Sequence, residues 1–488
     1  MSHGVRTEQV QVAKQAVWGT MWVFLSFVLG KTLTFVATII LARLLAPEHY
    51  GLMGYCLAAM NYLDVLNSFG MGAALISRRD KVEEAANAAF VISIGIGLLL
   101  FIGAWLAAPG IARFFKEAEV VDLFRVLAIY LPISALSTVP NAIIKRQLRF
   151  KIKLIPELGS NLAKGGLSIL FAWAGFGTWS LVWGYLGGTI VGTTLYWTLA
   201  KWRPTFVFDW QATREMLSFG IHIIIIALAG ALMANFDYIV VGRLLGTIAL
   251  GYYVFAYRVP EIIIASINNL VDKVAYPLLA QLQSDVDKLQ STYIGYLRYI
   301  AIFTFPASVG LALISGPFLR IAAPRWEPAT LVMQLIALKM GIISIGYVPG
   351  VLYKATNRPH ILNQLAIVKI PCTIALLWLG AHWNIEGVAA AHLIVALLNV
   401  ALDTVVASYV LKFQISSTFK ALLPAFTGSV VMALVVAGVG MPLAAAPDLV
   451  QLIGFILVGS LSYIGALVLV DRDGMARASR TFRAALSG

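Results

Sequence analysis

The chain has 488 residues, of which 60% are hydrophobic and 12% charged, and its mean hydropathy is +0.85. A soluble chain of this length carries about 25% charged residues. A soluble enzyme, a disordered chain and a disulfide scaffold are therefore excluded, and a polytopic membrane protein is left. The formal charge of +13 would suggest nucleic acid in a soluble protein, but membrane proteins gather Lys and Arg in their cytoplasmic loops.

Cys56 and Cys372 are far apart inside apolar runs, and the six histidines show no ligand spacing, so neither a disulfide framework nor a metal cluster is expected. The first apolar run, after a polar N-terminal stretch, is too long for a signal-peptide core. Insertion is expected to rely on that first span. Apolar runs of spanning length fall at 17–41, 51–77, 87–108, 122–142, 155–175, 179–200, 218–241, 249–272, 293–316, 329–353, 361–380, 387–411, 421–441 and 449–470. The short loops between them carry helix-breaking pairs such as Ala46-Pro47, Arg203-Pro204 and Arg358-Pro359. The longest, around 273–292, reads as a polar helical connector. The fold class expected is all-α, with 14 transmembrane helices.

Charge orients the spans. With a cytoplasmic N-terminus, 23 of the 36 Lys and Arg fall in cytoplasmic segments and 6 on the opposite side, the rest lying within spans. That bias supports an even helix count and two cytoplasmic termini. Two echoes then suggest an internal repeat. Arg43-Leu44-Leu45 with Gly51 returns as Arg243-Leu244-Leu245 with Gly251, an offset of 200; Pro140, Lys145 and Arg149 return as Pro349, Lys354 and Arg358, an offset of 209. The layout expected is two six-helix bundles, 1–215 and 216–418, plus two C-terminal helices with the tail, 419–488. Transporters are often built from such repeats.

The stretch ARLLAPEHYGLMGYCLAAMNYLDVLNSFGMGAALI (42–76) resembles the first signature of bacterial polysaccharide transporters, the oligosaccharide flippases of the multidrug/oligosaccharidyl-lipid/polysaccharide exporter superfamily. KRQLRFKIKLIPELGSNLAKGGLSILFAWAGFGTWSLVWG (145–184) resembles their second signature, in which a basic loop enters a helix that ends in a Gly-x-Gly-x-Trp turn. Ser68 departs from the pattern, since relatives often carry an acidic residue there. The resemblance implies a flippase of the bacterial inner membrane. Its substrate would be undecaprenyl-pyrophosphate-linked oligosaccharide repeat units for lipopolysaccharide, capsule or exopolysaccharide. Its partners would be that substrate, membrane lipids and the polysaccharide polymerase machinery, with no cofactor and no nucleic acid.

The scarce charges inside spans are the candidates for mechanism, because a midmembrane charge costs a few kcal/mol unless it meets water or a partner. Lys31, Lys164 and Lys339 lie mid-span: they either line a wet cavity for an anionic lipid head or pair with Asp64, Glu157, Asp237 or Asp403. Lys369 precedes Pro371, where a kink would free backbone carbonyls. Lys369 and Arg258 are further candidates to line the substrate cavity; Arg258 shares a helix face with Glu261, and the alternative to a substrate role is that the two pair with each other. Asp64, Asp237 and Glu261 are the ion-coupling candidates. Arg43 and Arg243, equivalent in the repeat, are candidates for an outer gate. Lys145, Arg146 and Arg149 either guide an entering pyrophosphate at the cytoplasmic face or only orient the chain. A lipid-II flippase and a drug/cation antiporter are neighbouring readings. A membrane polymerase or ligase would need a long outer loop, and no nucleotide-binding motif occurs.

Overall fold

The computed structural model describes residues 29–78, 80–147, 149–205, 210–283, 285–358, 360–443 and 445–471. The polar N-terminal stretch, the first part of the first expected span with Trp18, Arg79, and the arginines of the C-terminal tail lie outside the described residues.

The described residues are helical, with no strand among them. In chain order they form α1 (29–44), α2 (Pro47–Ser68), α3 (Met71–Ser77), α4 (Val82–Phe115), α5 (Val120–Leu127), α6 (Tyr130–Arg146), α7 (Phe150–Trp173) and α8 (Thr178–Ala200). Then come α9 (Trp210–Leu245), α10 (Thr247–Gln281), α11 (Val286–Ala322), α12 (Thr330–Ala355), α13 (His360–Gly380), α14 (Asn384–Leu411), α15 (Ile415–Leu443) and α16 (Asp448–Val470). Short 3-10 turns, Pro324–Ala329 and Ala381–Trp383, precede α12 and α14. Two expected runs are broken rather than continuous. Phe69 (φ 39) and Gly70 (φ 64) turn left-handed and split 51–77 into α2 and α3, because a left-handed residue ends the helical ladder. At Ala128–Ile129 the backbone stays helical but tightens: Ile129 N–H reaches Val126 O at 3.2 Å and Leu131 N–H reaches Ala128 O at 3.0 Å, the spacing of a 3-10 turn.

Nine helical stretches among the described residues are long and apolar enough to cross a membrane on those grounds alone. One of them, His360–Leu411, spans 52 residues and contains both α13 and α14. Helices α1, α2, α7 and α8 fall outside that set, and they carry much of the polar side-chain content considered below. Elsewhere the helices expose large apolar side chains, among them Leu106 (73%), Leu434 (69%) and Leu461 (71%). So much exposed apolar surface suits lipid rather than water.

The chain divides into two compact units, Met1–Gly251 and Tyr252–Gly488. In the N-terminal unit, Met71, Leu75, Phe90 and Val139 form a core from α3, α4 and α6. Gly184, Gly188 and Gly192 place a glycine every fourth residue on one face of α8. A Cβ on Gly188 would lie 2.7 Å from Lys164 Cβ and 2.8 Å from Ser160 O, so α7 packs directly on the α8 backbone. The unit also contains a reciprocal contact between the two echo segments. Gly51 packs on the backbone of Thr247, and Gly251 packs on the backbone of Pro47. At an offset of 200 each contact is the image of the other, as a two-fold relation requires.

In the C-terminal unit, Tyr293, Leu297, Ile300, Val348 and Leu352 form the core. The polar connector ends at Asp285, whose side chain accepts from the Lys288 N–H at 3.1 Å and meets its ammonium at 2.8 Å. The Lys288 side chain holds this exposed carboxyl below the usual carboxylate range. Helix α16 is tied to α11 near both of its ends, by Arg320 to Asp448 at 2.6 Å and by Arg298 to Asp471.

Candidate functional site

In the N-terminal unit polar residues recur at helical spacing on two helices. On α6 they are Tyr130, Ser134, Ser137 and Asn141; on α7 they are Lys153, Glu157, Asn161 and Lys164. Steps of three and four put each set on one face. A polar stripe on a membrane helix must meet water or other protein. None of these eight is fully buried.

Contacts between the stripes join six helices. Lys164 of α7 places its ammonium 4.0 Å from the ring centroid of Tyr185 on α8. That ring meets Tyr130 of α6 edge-to-face at 5.1 Å. The Tyr130 hydroxyl donates to the Asp64 carboxylate of α2 at 2.7 Å. Asn61, one turn before Asp64, donates to Asn235 of α9 at 2.7 Å. Helix α1, which carries the half-buried Lys31, approaches α7 closely: a Cβ on Gly30 would lie 3.5 Å from the Asn161 side chain, and one on Gly165 would lie 3.1 Å from Ala37 Cβ. The result is a row of cation, ring, ring and carboxylate, flanked by amides. Such a surface can attract an anion at Lys164, stack a ring, and accept hydrogen bonds from hydroxyl groups at Asp64. One more polar atom is buried beside it: the Asn67 amide donates to Leu131 O at 3.1 Å and Ser134 Oγ at 2.8 Å, while its own oxygen has no partner.

The C-terminal unit holds two of its positive charges in contact pairs. Lys369 of α13 meets Asp403 of α14 at 2.5 Å, and both side chains are largely buried. Gly346 leaves room there, since a Cβ on it would lie 3.4 Å from the Asp403 carboxylate. Arg258 and Glu261 pair at 3.3 Å along α10, as their spacing indicates. Lys339 is 2% exposed on α12; it donates to the Tyr257 hydroxyl at 2.5 Å and lies 4.4 Å from that ring's centroid.

The remaining candidates are spread through the fold. Asp237 is fully buried on α9 and accepts from the Tyr238 N–H at 3.0 Å. Arg43 is exposed near the end of α1, and Arg243, near the end of α9, lies 5.5 Å from the Phe114 ring. Arg146 donates to the Leu75 carbonyl at 3.1 Å and to the Arg78 carbonyl, so it caps the C-terminus of α3. Lys145 lies beside it in the last turn of α6, and Arg149 bonds Gln147 at 3.3 Å. The structure thus brings Lys164 and Asp64 into one connected row, and Lys369 and Arg258 each onto an acidic partner. Sequence reasoning missed the tyrosines that do the connecting, Tyr130 and Tyr185, and also Tyr257. The spacing of the α6 stripe was a signal that could have found Tyr130. Nothing comparable marked the others.

Among the described residues no group of three or more His, Cys, Asp or Glu is arranged to hold a metal ion. Residues 40–331 match the family described as polysaccharide biosynthesis protein. The chain is 25% identical over 438 residues to the teichuronic acid biosynthesis protein TuaB of Bacillus subtilis, covering 88% of this chain and 90% of that protein. It is 25% identical over 364 residues to the succinoglycan biosynthesis transport protein ExoT of Rhizobium meliloti, covering 72% and 73%. Among solved structures it is similar to the lipid II flippase MurJ in an inward closed conformation. That match has a TM-score of 0.76 at 16% identity and covers 93% of this chain and 100% of the other. It also resembles an inward-facing multidrug resistance MATE family transporter of the MOP superfamily, with a TM-score of 0.62 at 18% identity, over 78% and 95% of the two chains. The fold is the one these transporters share.

Proposed function

The chain belongs to the polysaccharide biosynthesis protein family, and from that premise we propose that it is a membrane flippase, not an enzyme, which moves lipid-linked oligosaccharide across a bacterial inner membrane by alternating access. The cargo in this reading is an undecaprenyl-pyrophosphate carrying an oligosaccharide repeat unit for lipopolysaccharide, capsule or exopolysaccharide. The chain would cross the membrane fourteen times, with both termini cytoplasmic, as two six-helix bundles followed by two further helices.

One observation carries the reading: the row from Lys164 through Tyr185 and Tyr130 to Asp64 on the polar face of the N-terminal unit. Fixed positive charge away from hydrocarbon suits a pyrophosphate, and aromatic faces with amides suit sugar rings. Lys31, on the helix that packs against α7, would add a second positive charge. The names of the relatives agree with a role in polysaccharide assembly, and one of them names transport.

The test is a double Lys31→Ala/Lys164→Ala variant beside a Lys31→Arg/Lys164→Arg variant, each expressed in a strain that lacks the native protein. Polysaccharide export should be abolished in the alanine pair and partly kept in the arginine pair. Normal export from an alanine pair that is stably inserted would overturn the assignment of this face to the substrate.

A further inference from the structure

The polar stripes of α6 and α7 have a second end, away from the row of Lys164, Tyr185, Tyr130 and Asp64. The α6 stripe continues from Asn141 to Lys145, and the α7 stripe begins at Lys153 and Glu157. Helix α8 follows the same pattern. Tyr196 lies eleven residues beyond Tyr185, as Lys164 lies eleven beyond Lys153, and eleven residues return a helix to within about 20° of the same face.

The fold brings these ends together. The chain reverses tightly between α6 and α7: the Arg149 N–H bonds the Ile144 carbonyl at 3.2 Å, and the Lys153 N–H bonds the Arg149 carbonyl at 3.2 Å. Lys145 in the last turn of α6 therefore stands beside Lys153 in the first turn of α7. Lys153 meets Glu157 at 2.8 Å. Lys145 interacts electrostatically with both, and Tyr196 interacts with Glu157. Helix α8 is fixed at this level to both neighbours. Thr193 and Trp197 donate to the Ile133 and Leu136 carbonyls of α6 at 3.3 and 3.0 Å, and a Cβ on Gly192 would lie 3.1 Å from Ser160 Cβ of α7. Arg146 is engaged instead with the carbonyls that end α3.

Two ammonium groups here share one carboxylate. The Lys153 and Glu157 side chains are 26% and 46% exposed, so their bridge is weak and open to exchange. A phosphate carries more oxygens than a carboxylate and makes charge-assisted hydrogen bonds to ammonium groups. A phenol can donate to the same oxygens. One turn deeper on α6, Asn141 has a buried side-chain oxygen with no hydrogen-bond partner among the described residues. It can accept from a hydroxyl next to the phosphate.

We propose that Lys145, Lys153 and Tyr196 form a binding site for the phosphate of a membrane lipid, separate from the Lys164 row, with Glu157 as the competing carboxylate that keeps binding reversible. Phosphate displaces Glu157 from Lys153, and no covalent bond changes. The eleven residues from Lys153 to Lys164 cover roughly 16 Å of helix, too far for one pyrophosphate to touch both. The two sites are therefore successive stations on one polar face. The proposal rests on the flippase reading for the cytoplasmic side and for the cargo, but not for recognition of phosphate.

The test is native mass spectrometry of the full chain in detergent with a polyprenyl-pyrophosphate disaccharide. All variants are made in the Lys31→Ala/Lys164→Ala background, so that the row does not contribute to binding. That background should still bind the lipid. Adding Lys145→Gln and Lys153→Gln should weaken binding about fivefold for each lysine removed, and adding Glu157→Gln should tighten it several-fold. Affinity unchanged by all three substitutions would overturn the proposal. Glu157→Gln leaves every lysine of the loop in place, so it decides the matter if the lysine variants fail to insert; no gain in its affinity would count equally against the site. Phosphatidylglycerol, with phosphatidylcholine as the neutral control, separates the two sources of phosphate. Preference for the pyrophosphate lipid assigns the site to the cargo. Equal binding of phosphatidylglycerol, with the same dependence on Lys145, Lys153 and Glu157, assigns it to a lipid of the surrounding leaflet. If the wild type binds in this way but moves no fluorescent pyrophosphate lipid across liposomes, the flippase reading fails and the phosphate site stands.

Discussion

In the N-terminal unit Lys164 and Asp64 belong to one row but are held apart, with the rings of Tyr185 and Tyr130 between them. In the C-terminal unit Lys369 and Asp403 touch at 2.5 Å, and Arg258 pairs with Glu261 three residues along the same helix. Both arrangements address one problem, the cost of charge within a membrane. Contact pairs neutralise each other and leave little field for a ligand. A cation resting on an aromatic face keeps its charge while the ring offsets part of its desolvation. Both units use both devices: Lys339 rests on Tyr257 much as Lys164 rests on Tyr185, and Lys153 of the α7 stripe meets Glu157 at 2.8 Å. The difference lies in the central carboxylates, since Asp403 touches its lysine and Asp64 is bonded instead by the Tyr130 hydroxyl.

The largest effect expected from breaking this contrast is at Asp403. Asp403→Ala leaves Lys369 buried beside a methyl group, and removing one member of a buried pair costs about 3–5 kcal/mol. Thermal unfolding in detergent should show a clear loss of stability. The double variant Lys369→Met/Asp403→Leu should recover most of it, because a buried ion pair can often be replaced by apolar side chains of similar volume. If the double variant is as unstable as the single one, the pair does more than neutralise charge.

Next in size is Tyr130→Phe, which keeps the ring against Tyr185 but takes the hydroxyl from Asp64. A hydrogen bond to a charged group contributes about 1.5–3 kcal/mol, so export should fall about tenfold or more while the protein still inserts. Tyr185→Phe keeps the aromatic face under Lys164 and should export nearly as the wild type does. Equal loss in both variants would mean that the row acts through packing and not through the Tyr130–Asp64 bond. Slightly smaller is Gly188→Ala. Its new methyl group would press on Lys164 Cβ and Ser160 O, and overpacking of this kind costs about 1–3 kcal/mol. Reduced yield of folded protein, read by size-exclusion chromatography, would report it. The tilt it forces on α7 should weaken export beyond the loss of yield.

How much of this was legible beforehand follows from what pattern carries. Apolar runs announce helices because burial in lipid demands an internally bonded backbone, and every described run is helical. Breaks inside runs were harder to read. Phe69 turns left-handed at φ 39, an angle a phenylalanine rarely adopts and only tertiary packing can impose. Charged residues within spans were visible as an anomaly, and Lys164, Lys339, Lys369 and Asp64 all proved to have specific neighbours. Their partners were not visible. Tyr185 and Tyr257 lie on other helices, and a tyrosine in a membrane span looks the same whether it faces lipid, core or a lysine. Spacing along one helix found Arg258 and Glu261, because three residues bring side chains together without any knowledge of the fold.

The smallest expected effect concerns that local pair. Arg258 and Glu261 are each a little over 40% exposed at the side chain, and a pair three residues apart on one helix contributes about 0.2–0.5 kcal/mol. Their removal therefore tests the contrast between the units from its weak side. Arg258→Gln/Glu261→Gln should unfold within about 1 kcal/mol of the wild type, and export should stay close to normal if the pair only neutralises itself. The single variants sharpen the point. Arg258→Gln leaves a lone carboxylate and Glu261→Gln a lone guanidinium within a candidate span, where a charge without its partner is costly. If Glu261→Gln lowers export while the double variant does not, an uncompensated positive charge on α10 is what harms transport. If instead both singles and the double lower export alike, Arg258 and Glu261 take part in transport, and the C-terminal unit shares in ligand contact rather than only supporting it.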